Sequence, residues 1–241
     1  MNRILFTAEE VRPDGRVELG DFRAVHIRDV LHAKAGDIIR TGVINGPIGT
    51  SVVKRVTEDG VTLSAYHDET APEPWMDLIL AAPRPKVMRR LWAQLTALGV
   101  GRIVILSAFR VERYYFSSHW LVPEHYTPLL VKGLMQAGAS RLPEVTIKPW
   151  FKAFIQDDLD AMFPEPGTIR LVAHPGGEER NPARGLPEWK RPLLAVGPEG
   201  GWSDYELQMF ADKNFLPYSL GERTLATDTA AIALIAALMA S

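Results

Sequence analysis

Two glycine-bearing loops near the C-terminal end hold the residue types from which a ligand site can be built. The first, Gly197-Pro198-Glu199-Gly200-Gly201, follows the apolar run Leu193–Val196. The second opens at Leu220-Gly221 and runs through Arg223 and Leu225 to Thr227-Asp228-Thr229. Short apolar runs of this kind suit buried parallel strands. Glycine permits positive φ and lets backbone approach a ligand closely. Ligands of open parallel sheets bind beyond the carboxyl ends of the strands, so two such loops on adjacent parallel strands read as one pocket made of main chain. Arg223 is the side chain best suited to chemistry there, because a guanidinium can stabilise charge that develops on a substrate. Its competing role is to pair with Asp228 and hold the loop. Asp228 could accept a proton, hydrogen-bond a substrate or cap a helix.

The loops do not carry the usual phosphate signatures. No Lys follows Gly201, so the GxxxxGK[ST] pattern fails, and GxGxxG is absent. A nucleoside gripped by main chain fits better. The expected contacts are Gly197, Pro198, Gly200, Gly201, Leu220, Gly221, Leu225 and Thr229, with Glu199 bracing the loop. Ala173 and His174, at the end of another apolar run, could add a wall, although a histidine before Pro-Gly-Gly is also an ordinary loop residue.

The flanking elements must position these loops. Ser203 with Glu206 forms a capping box, so a helix starts there, and Asn214 is a plausible stop. Leu216–Ser219 reads as the next strand. Thr227 or Asp228 caps a last helix whose body, 230–240, has no polar side chain. Upstream, apolar runs at Leu78–Ala82, Ile103–Leu106 and Ile169–Ala173 alternate with helical stretches at Val87–Leu98 and Tyr126–Ala137, which indicates an α/β fold with a parallel sheet. Residues before 71 differ. Turn signals at Asn45-Gly46-Pro47 and Asp59-Gly60 separate short strands and suggest a small barrel, with a short helix over Val25–Leu31. Ala71-Pro72-Glu73-Pro74 reads as the linker, giving domains 1–71 and 72–241.

Composition removes several chemistries. There is no cysteine, hence no disulfide framework, thiolate-held cluster or cysteine nucleophile. The six histidines show no HxxxH pair, so no metal is expected. No apolar run reaches the roughly 18 residues of a membrane helix. The start Met1-Asn2-Arg3-Ile4 does not resemble a signal peptide, and a cytoplasmic protein is expected. The apolar C-terminal helix should be buried, in a core or against a second subunit; a homodimer is favoured.

Net charge is only −2, but its distribution is uneven. Residues 72–155 hold 11 basic and 5 acidic side chains. Arg84, Lys86, Arg89, Arg90, Arg102, Arg110 and Arg113 precede Tyr114, Tyr115 and Phe116. Basic residues beside aromatics suit phosphate contact and base stacking, with a solvated helix face as the alternative. The candidate RNA contacts are Arg3, Arg84, Arg89, Arg90, Arg110 and Arg141.

GPEGGWSDYE (197–206) followed by LGERTLATDTAA (220–231) resembles the 16S ribosomal RNA uridine N3-methyltransferases of the RsmE family, within the SPOUT superfamily. HIRDVLHAKAGDII (26–39) and QLTALGVGRIVIL (94–106) are similar to further family segments. The resemblance implies a knotted methyltransferase domain behind a small PUA-like β-barrel, S-adenosylmethionine as cofactor, 16S rRNA or the small ribosomal subunit as partner, and a homodimer. It sets Arg223 and Asp228 near the reacting base. The chain departs from the family pattern at His32, Gln94, Ala97, Phe109, Ala226 and Asp228. These departures keep two rivals open: a catalytically silent RNA-binding or ribosome-assembly paralogue, and a knotted methyltransferase for another RNA.

Overall fold

The computed structural model describes residues 1–178 and 190–239. They pack as two compact units, Met1–Glu73 with Leu130–Leu142, and Pro74–Leu129 with Pro143–Ser241.

In the first unit, β1 (Ile4–Phe6) and β2 (Arg16–Leu19) precede a short helix, α1 (Phe22–Val25), which runs into a π turn over His26–Val30. Strands β3 (Ile38–Val43), β4 (Ile48–Val56) and β5 (Val61–Glu69) follow. The sheet order is β1-β3-β4-β5-β2, parallel only between β1 and β3. Both turn signals hold. Asn45 takes a left-handed φ of 57° after β3. The Gly60 carbonyl accepts from Thr57 N at 2.9 Å beside the β4–β5 turn. Strands β1 and β2 are edges and do not pair, so the sheet curls without the closed hydrogen bonding of a barrel. Segment 130–142 explains part of this, since the amides of Asn2 and Arg3 donate to the Met135 carbonyl at 2.8 and 3.1 Å. Leu134 and Met135 also join the core of Leu5, Phe6, Val17, Ile27, Val53 and Leu63. Each such side chain contributes about 1.5–3 kcal/mol when buried. A linear boundary at 71/72 leaves this segment in the other domain.

The second unit comprises β6 (Met76–Ala81), α2 (Pro85–Ala97), β7 (Val100–Leu106), α3 (Pro123–Ala137, shared with the first unit), β8 (Glu144–Lys148), α4 (Phe151–Ala153) and α5 (Leu159–Met162). It continues with β9 (Thr168–Glu178), β10 (Arg191–Val196), α6 (Asp204–Ala211), β11 (Leu216–Tyr218) and α7 (Thr227–Met239). The sheet order is β11-β9-β10-β6-β7-β8, parallel throughout. Every residue of β6 is buried, as expected for a central strand covered on both faces. One expectation is corrected: β10 and β11 are not adjacent, because β9 lies between them. Strand β8 escapes the sequence reading because Glu144–Lys148 alternates polar and apolar residues on a half-buried edge.

Helix starts follow the sequence. Ser203 caps α6, and Glu206 returns to the Ser203 amide at 2.8 Å. Pro85 occupies the first turn of α2, where a missing N–H costs nothing. Asn214 takes a φ of 59° shortly after α6.

The amino edge of this sheet is held by charge. Asp77 at the start of β6 is 1% exposed. It accepts from Arg102 on β7 at 2.7 Å and from Arg191 on β10 at 2.7 Å, clamping both neighbouring strands. Arg102 therefore belongs to this clamp, not to the basic RNA face that its place in sequence suggests. Arg170 on β9 is likewise buried, donating to Asp160 at 2.8 Å and to the carbonyls of Phe163 and Lys213 at 2.7 and 3.0 Å. Removing one partner of a buried pair strands the other charge. We expect Asp77→Ala to cost about 3–5 kcal/mol in chemical denaturation. Ser203→Ala should cost about 1 kcal/mol through the lost cap.

Candidate functional site

The carboxyl ends of β9, β10 and β11 converge on one cleft. From β9 come Ala173, His174 and Pro175. Val196, Gly197, Pro198, Glu199 and Gly201 come from β10 and its loop. Tyr218 through Gly221, then Arg223, Thr224 and Leu225, come from β11 and the second loop. Thr227, Ala230 and Leu234 of α7 close the rear. Because β9 sits between the two glycine loops, His174 and Pro175 lie in the middle of the site.

Two buried hydroxyls stitch the loops together. Ser219 Oγ accepts from the Gly221 amide at 3.0 Å and lies 3.0 Å from the Gly221 carbonyl and 3.3 Å from that of Pro175. Thr227 Oγ1 donates to the Gly197 carbonyl at 3.4 Å, joining α7 to the first loop. Glycine suits two points by backbone or space. Gly221 has a φ of 109°, which disfavours any side chain. A Cβ at Gly197 would sit 3.1 Å from the indole of Trp202, which is itself buried.

The lining is largely apolar or main chain, with Glu199 and Arg223 as its charged side chains apart from the titratable His174. Glu199 Oε2 is 3.1 Å from Arg84 Nε, so the acid braces the rim through α2. The Tyr115 hydroxyl and Glu199 together raise the pKa of the Arg84 guanidinium above its ordinary value. Arg223 is exposed and forms no ion pair among the described residues. Asp228 pairs instead with Arg90 at 2.8 Å, and its other oxygen accepts from the Thr229 amide at 3.0 Å. The alternative of an Arg223–Asp228 pair is therefore not the arrangement found, and Asp228 lies off the cleft lining.

Of the expected cofactor contacts, Ala173, His174, Gly197, Pro198, Glu199, Gly201, Leu220, Gly221 and Leu225 meet here. Gly200 turns away, its carbonyl accepting from Arg110 Nη1. Thr229 is exposed on the first turn of α7, outside the lining. The sequence reading missed Pro175, Val196, Tyr218, Ser219, Thr224, Thr227, Ala230 and Leu234. Ser219 immediately precedes Leu220-Gly221 and could have been included on spacing. Ala230 and Leu234, one helical turn apart, are indistinguishable in sequence from ordinary core.

Arg84, Arg89, Arg90 and Arg110 are exposed in the same unit as the cleft. Arg89 lies 4.9 Å over the Trp120 ring. Tyr114 is exposed, and Tyr115 and Phe116 are half-buried. Arg141 pairs with Glu73 at 2.6 Å in the first unit. Arg3, expected among the RNA contacts, is 9% exposed. Its guanidinium donates to the carbonyls of Thr41, Gly49 and Gly138 at 2.7, 3.0 and 2.8 Å, so it knits the first unit together.

A family model described as an RNA methyltransferase domain matches residues 71–239. The ribosomal RNA small subunit methyltransferase E of Treponema pallidum is 30% identical over 251 residues, covering 100% of this chain and 91% of its own. Methyltransferase E 1 of Borreliella burgdorferi is 25% identical over 234 residues, with 97% and 95% covered. In fold, the chain is similar to the Neisseria gonorrhoeae ribosomal RNA small subunit methyltransferase E bound to S-adenosyl methionine. That comparison gives a TM-score of 0.75 at 22% identity, covering 100% of this chain and 97% of that one. With the domain match covering residues 71–239 and a relative 30% identical over the whole of this chain, the chain belongs to the RNA methyltransferase family, alongside the ribosomal RNA small subunit methyltransferase E proteins.

Proposed function

We propose that this protein transfers a methyl group from S-adenosylmethionine to N3 of a uridine in 16S ribosomal RNA. The observation that carries the reading is the cleft itself: apolar side chains and backbone at the carboxyl ends of three parallel strands, with the Arg223 guanidinium, unpaired among the described residues, at the mouth. Its lining suits a nucleoside with a thioether-like tail and, among the described residues, holds no cluster of cations of the kind a polyphosphate would need. The relative from Neisseria gonorrhoeae is described with S-adenosyl methionine bound, and the Treponema pallidum relative is named for the small-subunit ribosomal RNA; both support this assignment.

S-adenosylmethionine brings a methyl group already activated on a positive sulfur, so the protein has to position and to stabilise charge. Gly197, Leu220, Gly221 and Leu225 shape the walls, and Ala173, His174 and Pro175 form the middle. Loss of the N3 proton to water would place negative charge on the flanking uracil oxygens, and the new N3–carbon bond would form as the methyl's bond to sulfur breaks, consuming that charge and leaving S-adenosylhomocysteine. Arg223, with a planar fork of donors and no ion pair among the described residues, is the residue to meet that charge. Asp228 acts through position: it neutralises Arg90 and fixes the start of α7, with the proton leaving to solvent through the open cleft.

The finer architecture belongs to the same reading. Residues 1–71 form the PUA-like RNA-binding part and 72–241 the knotted SPOUT domain, working as a homodimer on 16S rRNA or the small subunit in the cytoplasm. Supporting this, α7 leaves Ala236 and the large side chain of Met239 exposed on a helix with no charged side chain after Asp228 in its first turn. No helix among the described residues is long and apolar enough to cross a membrane.

The direct test is nucleoside mass spectrometry of small subunits lacking the modification, after incubation with protein and cofactor. Appearance of 3-methyluridine is expected; unmodified RNA with a protein that binds cofactor would remove the target assignment. Arg223→Ala should lower kcat about 100-fold with little change in cofactor affinity. Gly221→Trp should abolish cofactor binding in calorimetric titration while circular dichroism stays that of the wild type.

A further inference from the structure

Phe109 presents an unusual combination of a fixed backbone and a free ring. Its side chain is among the most exposed large apolar groups, at 82%. Its amide donates at 2.7 Å to Glu206 Oε1, and Glu206 is buried. The second oxygen of that carboxylate accepts from the amide and hydroxyl of Ser203 at 2.8 and 2.9 Å. One buried acid thus ties the loop after β7 to the start of α6 and holds the Phe109 ring out in solvent.

The ring stands in a second cleft with Phe151, Lys152 and Tyr205, a space of about 490 Å³. Tyr205 is 58% exposed, and Trp150, preceding Phe151, is exposed as well. The cleft has a rigid foundation. The buried rings of Trp202 and Phe210 lie 5.9 and 5.3 Å from Phe151, centroid to centroid. Exposed aromatics on such a base gain nothing for a lone molecule in water and mark a contact surface.

Charge and position select the occupant. Lys152 lines the cleft, and Arg110 follows Phe109 directly. Arg110 Nη1 donates to the Gly200 carbonyl, so this cleft is joined to the loop that walls the cofactor site. Ser203 lines the aromatic cleft and Gly201 lines the other, two residues apart in one loop. Flat rings with flanking cations are what single-stranded nucleic acid needs: π faces for bases and positive charge for phosphates.

We propose that Phe109, Phe151 and Tyr205 form a stacking site for an unpaired RNA base that flanks the target nucleotide, with Lys152 and Arg110 on its phosphates. This rests on the RNA methyltransferase reading and assigns the recognition of substrate context to a surface outside the cofactor cleft. A paired base buries its faces in the helix, so the site distinguishes unpaired RNA from duplex.

The test is fluorescence anisotropy at fixed salt, with saturating S-adenosylmethionine, using a short unstructured RNA oligonucleotide and the duplex it forms with its complement. Phe109→Ala and Tyr205→Ala should each weaken binding of the single strand about ten-fold. Duplex binding and calorimetric affinity for the cofactor should not change, and Phe109→Trp should retain single-strand affinity. If the double alanine variant binds single strand as the wild type does, the stacking site is wrong, and intact methylation of small-subunit RNA would show that the parent reading survives. A wild type that neither binds single-stranded RNA nor methylates removes both. A change of oligomeric state in sedimentation without loss of RNA affinity makes the cleft a protein contact and overturns the proposal.

Discussion

Parallel pairing is the constraint on which the site depends. Six strands that all run the same way deliver every carboxyl end to one edge of the sheet and every amino end to the other. Long crossover connections are then obligatory, because a parallel neighbour cannot be reached by a tight turn. The loops leaving β9, β10 and β11 consequently emerge side by side, although the segments that form them are spread over some fifty residues of sequence.

The two edges divide the work according to what each can tolerate. At the amino edge, Asp77 bridges Arg102 and Arg191, and Arg170 is surrounded by carbonyls and Asp160. Most of the donors and acceptors of these groups are taken up internally, with the Nε atoms of Arg170 and Arg191 left over in the buried layer, so this edge leaves little free to bind anything. At the carboxyl edge the polar groups are mostly backbone, and the buried side chains, Ser219 and Thr227, are spent on loop carbonyls. Arg223 is left exposed at the mouth, where its charge is available. Glu206 extends the same logic sideways: one carboxylate caps α6 and immobilises the loop carrying Phe109 and Arg110.

Local chemistry made much of this legible in sequence. The capping pair Ser203–Glu206, the left-handed Asn214, the turns at Asn45-Gly46 and Asp59-Gly60, and the strand–helix alternation depend on near neighbours and stand as read. Most of the loop residues that line the cleft were also legible, because glycine spacing and apolar runs identify a strand end without reference to anything distant. Strand β8 was not, since a five-residue, half-buried edge strand carries no apolar run to detect. The arginines divide in the same way. All look alike in sequence, yet Arg102 and Arg3 face buried acceptors while Arg84, Arg89 and Arg110 face solvent.

By itself, then, the sequence determined the element types, the two glycine loops, the absence of cysteine chemistry and the concentration of positive charge in the middle of the chain. Only the tertiary structure decided that β9 separates β10 from β11, that residues 130–142 pack with the N-terminal strands, and that Asp228 pairs with Arg90 rather than Arg223. The reason is range. Caps, turns and strand periodicity are set by residues within a few positions of one another, whereas strand order and ion-pair partners are chosen by which distant segments can bury their surfaces together, and no short window of sequence records that choice.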